Sequence, residues 1–269
     1  MTTAGLSIDL QGKRAFVSGV SSGIGAAIAA LLARAGCDVA GCGRSAASSP
    51  TVQEFHQSVQ CHGRRSAYVE ADFTQAEAPA RAIAAAQDVL GGIDILVSNA
   101  GLNVFTGAAA CSEIDWAKCM SLDLAAHWRL AQAAQPSLKQ ARGGGVILVI
   151  TSNHAWNTIA GCFPYNVAKA GLLALVQSLA IEWGPAIRTV GIAPGFVDTA
   201  GNQAWFDRFP DPVVERARTE ALHPVGRMGS VEEIAMLAAF LASPLAGFIS
   251  GTTVLADGGR SALMQDALG

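Results

Sequence analysis

Seven short apolar runs alternate with longer stretches of helical spacing along the whole chain, and that alternation leaves few folds open. The runs at 15–17, 39–42, 67–69, 93–97, 146–150, 189–192 and 253–255 are bounded by Gly, Asp or Ser, as buried strands are. Between them, 24–35, 52–61, 76–90, 113–138, 164–183 and 231–241 carry apolar residues at helical intervals, and Gly36, Gly91 and the glycines at 143–145 supply stops. Such a pattern predicts an α/β fold of the doubly wound, Rossmann type: a mainly parallel, seven-stranded sheet with helices on both faces. The chain has 269 residues, 51% of them hydrophobic, and no internal repeat or low-complexity linker, so one domain over residues 1–269 is expected. One stretch breaks the rhythm. From 198 to 224 the chain carries Trp205, Phe206, Phe209, Pro210, Pro212 and three arginines without a clear strand, the composition of a flap or short-helical lid rather than of a linker.

The first strand runs into Gly19-Val20-Ser21-Ser22-Gly23-Ile24-Gly25 and then directly into a helix. Glycines at these places permit a tight turn, a close backbone approach and close helix packing, leaving the helix amides aimed at an anion such as a dinucleotide pyrophosphate. Asp38 lies about twenty residues beyond Gly19, where an acid selecting NAD is expected. It stands at the wrong end of its strand, however, about 17 Å from the carboxyl edge at about 3.3 Å per residue. Gly43 and Arg44 occupy that edge. A glycine removes the carboxylate that repels a 2′-phosphate, and an arginine can grip one, so NADP(H) is expected over NAD(H).

Tyr165 and Lys169 are four residues apart at the head of an apolar helix and project from one face of it. A free phenol has a pKa of about 10, too high for an efficient base near neutrality. A fixed ammonium beside it, and an oxidised nicotinamide, are expected to lower that value. Tyr165 is therefore expected to be the acid/base, with Lys169 tuning it and holding a ribose. Ser152, closing the strand before, is expected to donate to the substrate oxygen.

Taken together, these residues resemble the short-chain dehydrogenase/reductase family, over nearly the whole chain. The glycine turn is similar to the family's TGxxxGIG with Ser18 in place of Thr, and Ser98-Asn99-Ala100-Gly101 to its NNAG. Ser152 precedes Tyr165-Asn166-Val167-Ala168-Lys169, its YxxxK, at the usual separation, and Asp257-Gly258-Gly259 resembles the end of its last strand. The resemblance implies that Pro194, Gly195, Val197 and Thr199 wrap the nicotinamide and its phosphates and that Asp72 and Phe73 flank the adenine. It also implies that Asn99, Ala100 and Gly101 lie on the adenosine side, with Asn99 bracing the neighbouring strand. Where the family carries an asparagine that completes a water relay to the lysine, this chain has Asp123. A carboxylate only accepts hydrogen bonds and its charge favours the protonated lysine.

The implied activity is hydride transfer between a nicotinamide cofactor and a secondary alcohol or ketone: a polyol, sugar or other carbonyl compound. A 3-ketoacyl reductase is the alternative among enzymes, and a silent dinucleotide-binding regulatory protein the alternative outside them. Enoyl reductases of the family generally space Tyr and Lys more widely. The substrate is expected to meet Ser152, His154, Phe196 and Trp205, with Trp156 and Phe209 close by. Arg208, Arg216 and Arg218 offer attraction for an acidic substrate, or a solvated face.

The net charge of −3 offers no basic face for nucleic acid. Six cysteines without CxxC spacing read as thiols in a reducing compartment, and residues 1–11 lack the charged start and apolar core of a signal peptide. No apolar run is long enough to span a bilayer. A cytoplasmic protein without a membrane or metal partner is expected. Because the 164–183 helix is apolar nearly all round, with one face left for a second subunit, a homo-oligomer is expected, a tetramer ahead of a dimer.

Overall fold

The computed structural model describes residues 7–263; of the expected 1–269 domain and the 1–11 segment, residues 1–6 and 264–269 lie outside the described residues. Seven strands form one sheet: β1 Arg14–Ser18, β2 Asp38–Gly43, β3 Ser66–Glu70, β4 Ile95–Ser98, β5 Gly145–Ile150, β6 Ile187–Pro194 and β7 Thr253–Ala256. Their order is β3-β2-β1-β4-β5-β6-β7, and every pairing is parallel. The expected "mainly" parallel sheet is thus wholly parallel, because a helix carries the chain back after each strand. β1 is the pivot. The chain winds outward from it in both directions, and a crevice opens beyond the carboxyl ends of β1 and β4, where open α/β sheets take their ligands.

Nine α-helices cover the sheet among the described residues: α1 Gly23–Arg34, α2 Pro50–Gln60, α3 Ala78–Leu90, α4 Glu113–Met120, α5 Ala126–Lys139, α6 Tyr165–Trp183, α7 Ala200–Phe206, α8 Pro212–Ala221 and α9 Val231–Ala242. Ile28, Leu32, Ala235 and Ala238 of α1 and α9 pack on one face with Val17, Val97 and Leu148. Ala82, Leu130, Leu172 and Val176 of α3, α5 and α6 pack on the other with Phe16, Leu96 and Ile147. The strands therefore read as continuous apolar runs because both faces are buried.

The amino end of the sheet is tied by ions. Arg14 meets Asp94 at 2.8 Å, and Arg65 meets Asp38 at 2.8 Å, which occupies Asp38 far from the ligand crevice. The stretch expected as one helix over 113–138 is interrupted by a π turn at Ser121–Ala125 between α4 and α5. The wider turn shifts the helix register, and such turns gather at functional sites. The stretch expected as a lid is short-helical, as α7 and α8. Thr199 caps α7 by accepting from Asn202 N at 3.2 Å, and Asp211 caps α8. No helix among the described residues is long and apolar enough to cross a membrane.

Candidate active site

The glycine turn joins β1 to α1 at the pivot of the sheet. A Cβ on Gly25 would stand 2.2 Å from Gly19 O and 2.5 Å from Asn99 Nδ2, so only glycine lets α1 sit this close to β1. Ser22 is the N-cap residue of α1, but its side chain caps no amide. The helix start is thereby left available to an anion, which fits a pyrophosphate. Ser21 Oγ lies 3.4 Å from the Cβ position of Gly43, so the turn reaches the end of β2, while Ile24 packs on the core behind it.

Ser18 Oγ accepts from Asn99 N at 2.8 Å and Ala100 N at 2.9 Å, and Asn99 Nδ2 donates to Ser18 O at 2.8 Å. The bracing expected of Asn99 is therefore its observed occupation. Beyond β6, Thr199 Cγ2 comes within 3.6 Å of the Cβ position of Gly23, which brings the segment from Pro194 to Thr199 over the glycine turn. Within it Gly195 rests on Asp257, and Val197 is buried in the core. At the far end of the crevice Arg44 shares a pocket of about 370 Å³ with Glu70, Ala71, Asp72, Gln75 and Arg81. The Phe73 ring is 3% exposed and belongs to the core cluster of Cys42 and Ala82, so an adenine would meet its backbone rather than its ring.

The three residues expected to be catalytic converge beyond β5. Ser152 follows that strand, Tyr165 opens α6, and Lys169 lies one turn further on; all three are buried. Lys169 Nζ stands 5.3 Å from the Tyr165 ring centroid, 3.4 Å from Ile150 O and 3.8 Å from Asp123 Oδ1. Thr151 Oγ1 donates to Lys169 O at 2.9 Å, fixing the head of α6 to the end of β5. The lowering expected from the ammonium together with an oxidised nicotinamide is opposed by burial in the protein itself. Burial holds the Tyr165 pKa above its ordinary value, Ser152 opposes this by hydrogen bonding, and Asp123 adds to the rise. Burial likewise pushes Lys169 down, against the carboxylate of Asp123.

Asp123 is no surface aspartate. It is fully buried in the π turn, accepts from Leu102 N at 2.9 Å and takes a long contact from Cys119 Sγ at 3.7 Å. Burial raises its pKa, opposed by Lys169 and both donors, while the Cys119 thiol is pushed up to about 12 and stays a donor. Gly101, expected on the adenosine side, instead lies against this pair, since a Cβ there would be 2.6 Å from Asp123 Oδ1. An asparagine can keep the Leu102 contact and lose only the charge. Asp123→Asn is expected to hold kcat within about threefold. It should also move the rise of alcohol oxidation with pH to lower pH, because the carboxylate that lifts the phenol is gone. A pH–rate profile checks this, and a shift to higher pH would refute it.

His154 meets the Tyr165 ring at 6.1 Å between centroids, and its Nδ1 is paired with Thr158 Oγ1 at 3.0 Å. Phe105, which the sequence did not single out, stands edge-on to Tyr165 at 5.2 Å and tilted to His154 at 6.2 Å. A β-bridge between Phe105 and Pro164 holds it there, a pairing that no local pattern announces. Phe196 and Trp205 pack on each other at 5.5 Å, and Trp205 on Phe209 at 4.7 Å, so these rings build the inside of the lid. His127 also went unread: its Nδ1 pairs with Ser98 Oγ at 2.8 Å, its Nε2 is buried without a partner, and burial keeps it neutral.

An anion seat at the pivot of a parallel sheet, beside a buried phenol and ammonium, defines a dinucleotide-dependent oxidoreductase. Known proteins agree. Residues 19–261 match the family model described as Enoyl-(Acyl carrier protein) reductase. The chain is 35% identical over 253 residues to the 3-oxoacyl-[acyl-carrier-protein] reductase of Vibrio cholerae, covering 94% of this chain and 98% of that one. A short-chain dehydrogenase/reductase from Serratia marcescens superposes with a TM-score of 0.85 at 33% identity, covering 94% and 99% of the two chains. A short chain dehydrogenase from Burkholderia cenocepacia, solved in complex with NADP, gives 0.83 at 32%, covering 93% and 98%. The chain belongs to the short-chain dehydrogenase/reductase family.

Proposed function

We propose that this enzyme interconverts a secondary alcohol and a ketone with NADP(H), Tyr165 exchanging the proton at the substrate oxygen. The observation that carries this reading is Lys169 Nζ, buried 5.3 Å from the Tyr165 ring centroid beside Ser152. The bound nicotinamide supplies or accepts the hydride. Ser21, Ser22, Gly23 and the start of α1 would hold its pyrophosphate, Lys169 its ribose, and the segment from Pro194 to Thr199 its nicotinamide end. In reduction, Tyr165 donates its proton to the oxygen as negative charge develops there, and Ser152 donates a hydrogen bond to the same atom. A phenol that burial keeps protonated is well suited to that direction.

Arg44, with Arg81 across the same pocket and no acid at position 43, supports NADP(H) over NAD(H). Arg44→Ala is expected to weaken NADPH binding about tenfold and NADH binding less than threefold, measured by fluorescence titration. Equal losses would remove phosphate recognition from Arg44. Val167 and Ile181 are exposed on the outer face of α6, where we place the contact of a homo-oligomer, a tetramer in our reading. Six unpaired thiols suit the cytoplasm. A second reading, 3-ketoacyl reduction, is favoured by what the Vibrio relative acts on. Turnover of a ketone panel with NADPH tests both readings. Tight cofactor binding with no turnover of any member would instead support a silent binding protein.

A further inference from the structure

Of the three arginines that the sequence offered for an acidic substrate, Arg208 is exposed and the other two are engaged elsewhere. Arg216 is paired with Asp198 at 2.7 Å and Glu220 at 3.0 Å, and Arg218 with Glu215 at 2.6 Å. Arg260 differs. It lies just past β7, half-buried, and its guanidinium makes no hydrogen bond or ion pair among the described residues.

Its position is fixed from two sides. Asn157 Nδ2 donates to Ser261 O at 2.8 Å and Asn153 Nδ2 to Ser261 Oγ at 3.4 Å, which binds the Arg260 turn to the loop that follows Ser152. On the other side Val225 N donates to Gly258 O at 3.3 Å, and Pro224 packs on Gly259, so the same turn abuts the exit of the lid. The Asp257 carboxylate accepts from Gly259 N at 3.0 Å and Ser261 N at 2.7 Å and is spent on shaping the turn. Arg260 therefore stands where the substrate loop and the lid meet. Its charge is felt on both walls, making His154, His223 and the Cys162 thiol less basic, and Arg218 adds a second positive charge near it. Asp257 is the nearby opposite charge but makes no hydrogen bond to the guanidinium, and a planar carboxylate matches the unpaired fork.

We propose that Arg260 grips a carboxylate on the substrate, so that the enzyme prefers keto acids and their hydroxy acids to neutral ketones of the same size. This rests on the alcohol/ketone reading above and adds the substrate class to it. No other charged group offered by the substrate loop is needed, because His154 is held neutral by burial and committed to Thr158.

The test is NADPH-dependent reduction of methyl-ketone acids with spacers of increasing length between carbonyl and carboxylate, each beside its methyl ester. Wild-type enzyme is expected to favour at least one acid over its ester by about tenfold or more in kcat/KM. Arg260→Gln should lower kcat/KM for that acid by a similar factor, chiefly through KM, and for the ester by less than about threefold. Arg260→Lys should restore part of the loss. Ester turnover by wild type with no acid preference at any spacer, or equal losses on acid and ester in Arg260→Gln, would overturn the assignment while leaving the alcohol/ketone reading standing. Absence of turnover on every acid and ester by wild type, with NADPH bound, would overturn that reading and this inference with it.

Discussion

Tyr165→Phe is expected to lower kcat by about 10²–10⁴-fold while changing cofactor affinity less than about threefold. The substitution removes one oxygen and leaves the ring in place. Tyr165 packs against Phe105 through its edge at 5.2 Å and lies in a small apolar cluster with Val104 and Ala168, contacts that phenylalanine keeps. The loss should therefore appear in the chemical step and not in folding. Steady-state kinetics with either coenzyme, beside a fluorescence titration of NADPH, separates the two. Retained turnover would remove Tyr165 as the acid/base; a matching loss of NADPH binding would show that the variant disturbs the crevice.

Lys169→Met carries a second large effect, on stability as well as on rate. The ammonium and the Asp123 carboxylate are both buried, at 3.8 Å, and removing one partner leaves the other's charge uncompensated. Such losses are about 3–5 kcal/mol, so the variant should unfold at markedly lower denaturant concentration at neutral pH. The sign of the pH dependence follows from Asp123. Burial already raises its pKa in the folded chain, and losing Lys169 raises it further. The folded state then holds a proton that the unfolded state releases, so stability falls as pH rises. The penalty is full above the raised folded pKa. It shrinks as pH falls through that value and vanishes below the ordinary carboxylate range. Adding Asp123→Asn to Lys169→Met should recover most of the stability and none of the turnover. Denaturant melts at several pH values check the cycle. A penalty that does not change with pH would mean that the buried carboxylate is not its source.

Much of this arrangement was legible before any coordinates because it depends on local periodicity. Strands buried on both faces must be short apolar runs, and helices that cross a parallel sheet must alternate with them. Tyr165 and Lys169 were readable for a similar reason: four residues along a helix put both groups on one face. Asp38 was correctly set aside because strand length alone places it at the remote end, where it pairs with Arg65.

What escaped depends on the chain returning to itself. A π turn at Ser121–Ala125 carries no proline or glycine to mark it, so local periodicity does not show Asp123 turned toward Lys169, and only the family resemblance placed it there. The burial of the Phe73 ring depends on its cluster with Cys42 and with Ala82 of α3, partners that are distant in the chain. Phe105 is placed by an antiparallel bridge to Pro164, almost sixty residues away in the chain. Arg260 follows a glycine pair that was noticed, yet its meaning comes only from the bonds of Ser261 to Asn153 and Asn157. The phenol stays above its ordinary value chiefly through burial, a depth that the run of residues does not display.

The most direct test of the central claim is the fate of deuterium and proton in a single turnover. Wild-type enzyme given a ketone and NADPH deuterated at the nicotinamide C4 should place deuterium on the carbinol carbon at a rate that depends on pH. Tyr165→Phe should bind the same coenzyme and transfer deuterium at least about a hundredfold more slowly at every pH. Transfer by the phenylalanine variant at the wild-type rate, with the same pH dependence, would contradict the account outright.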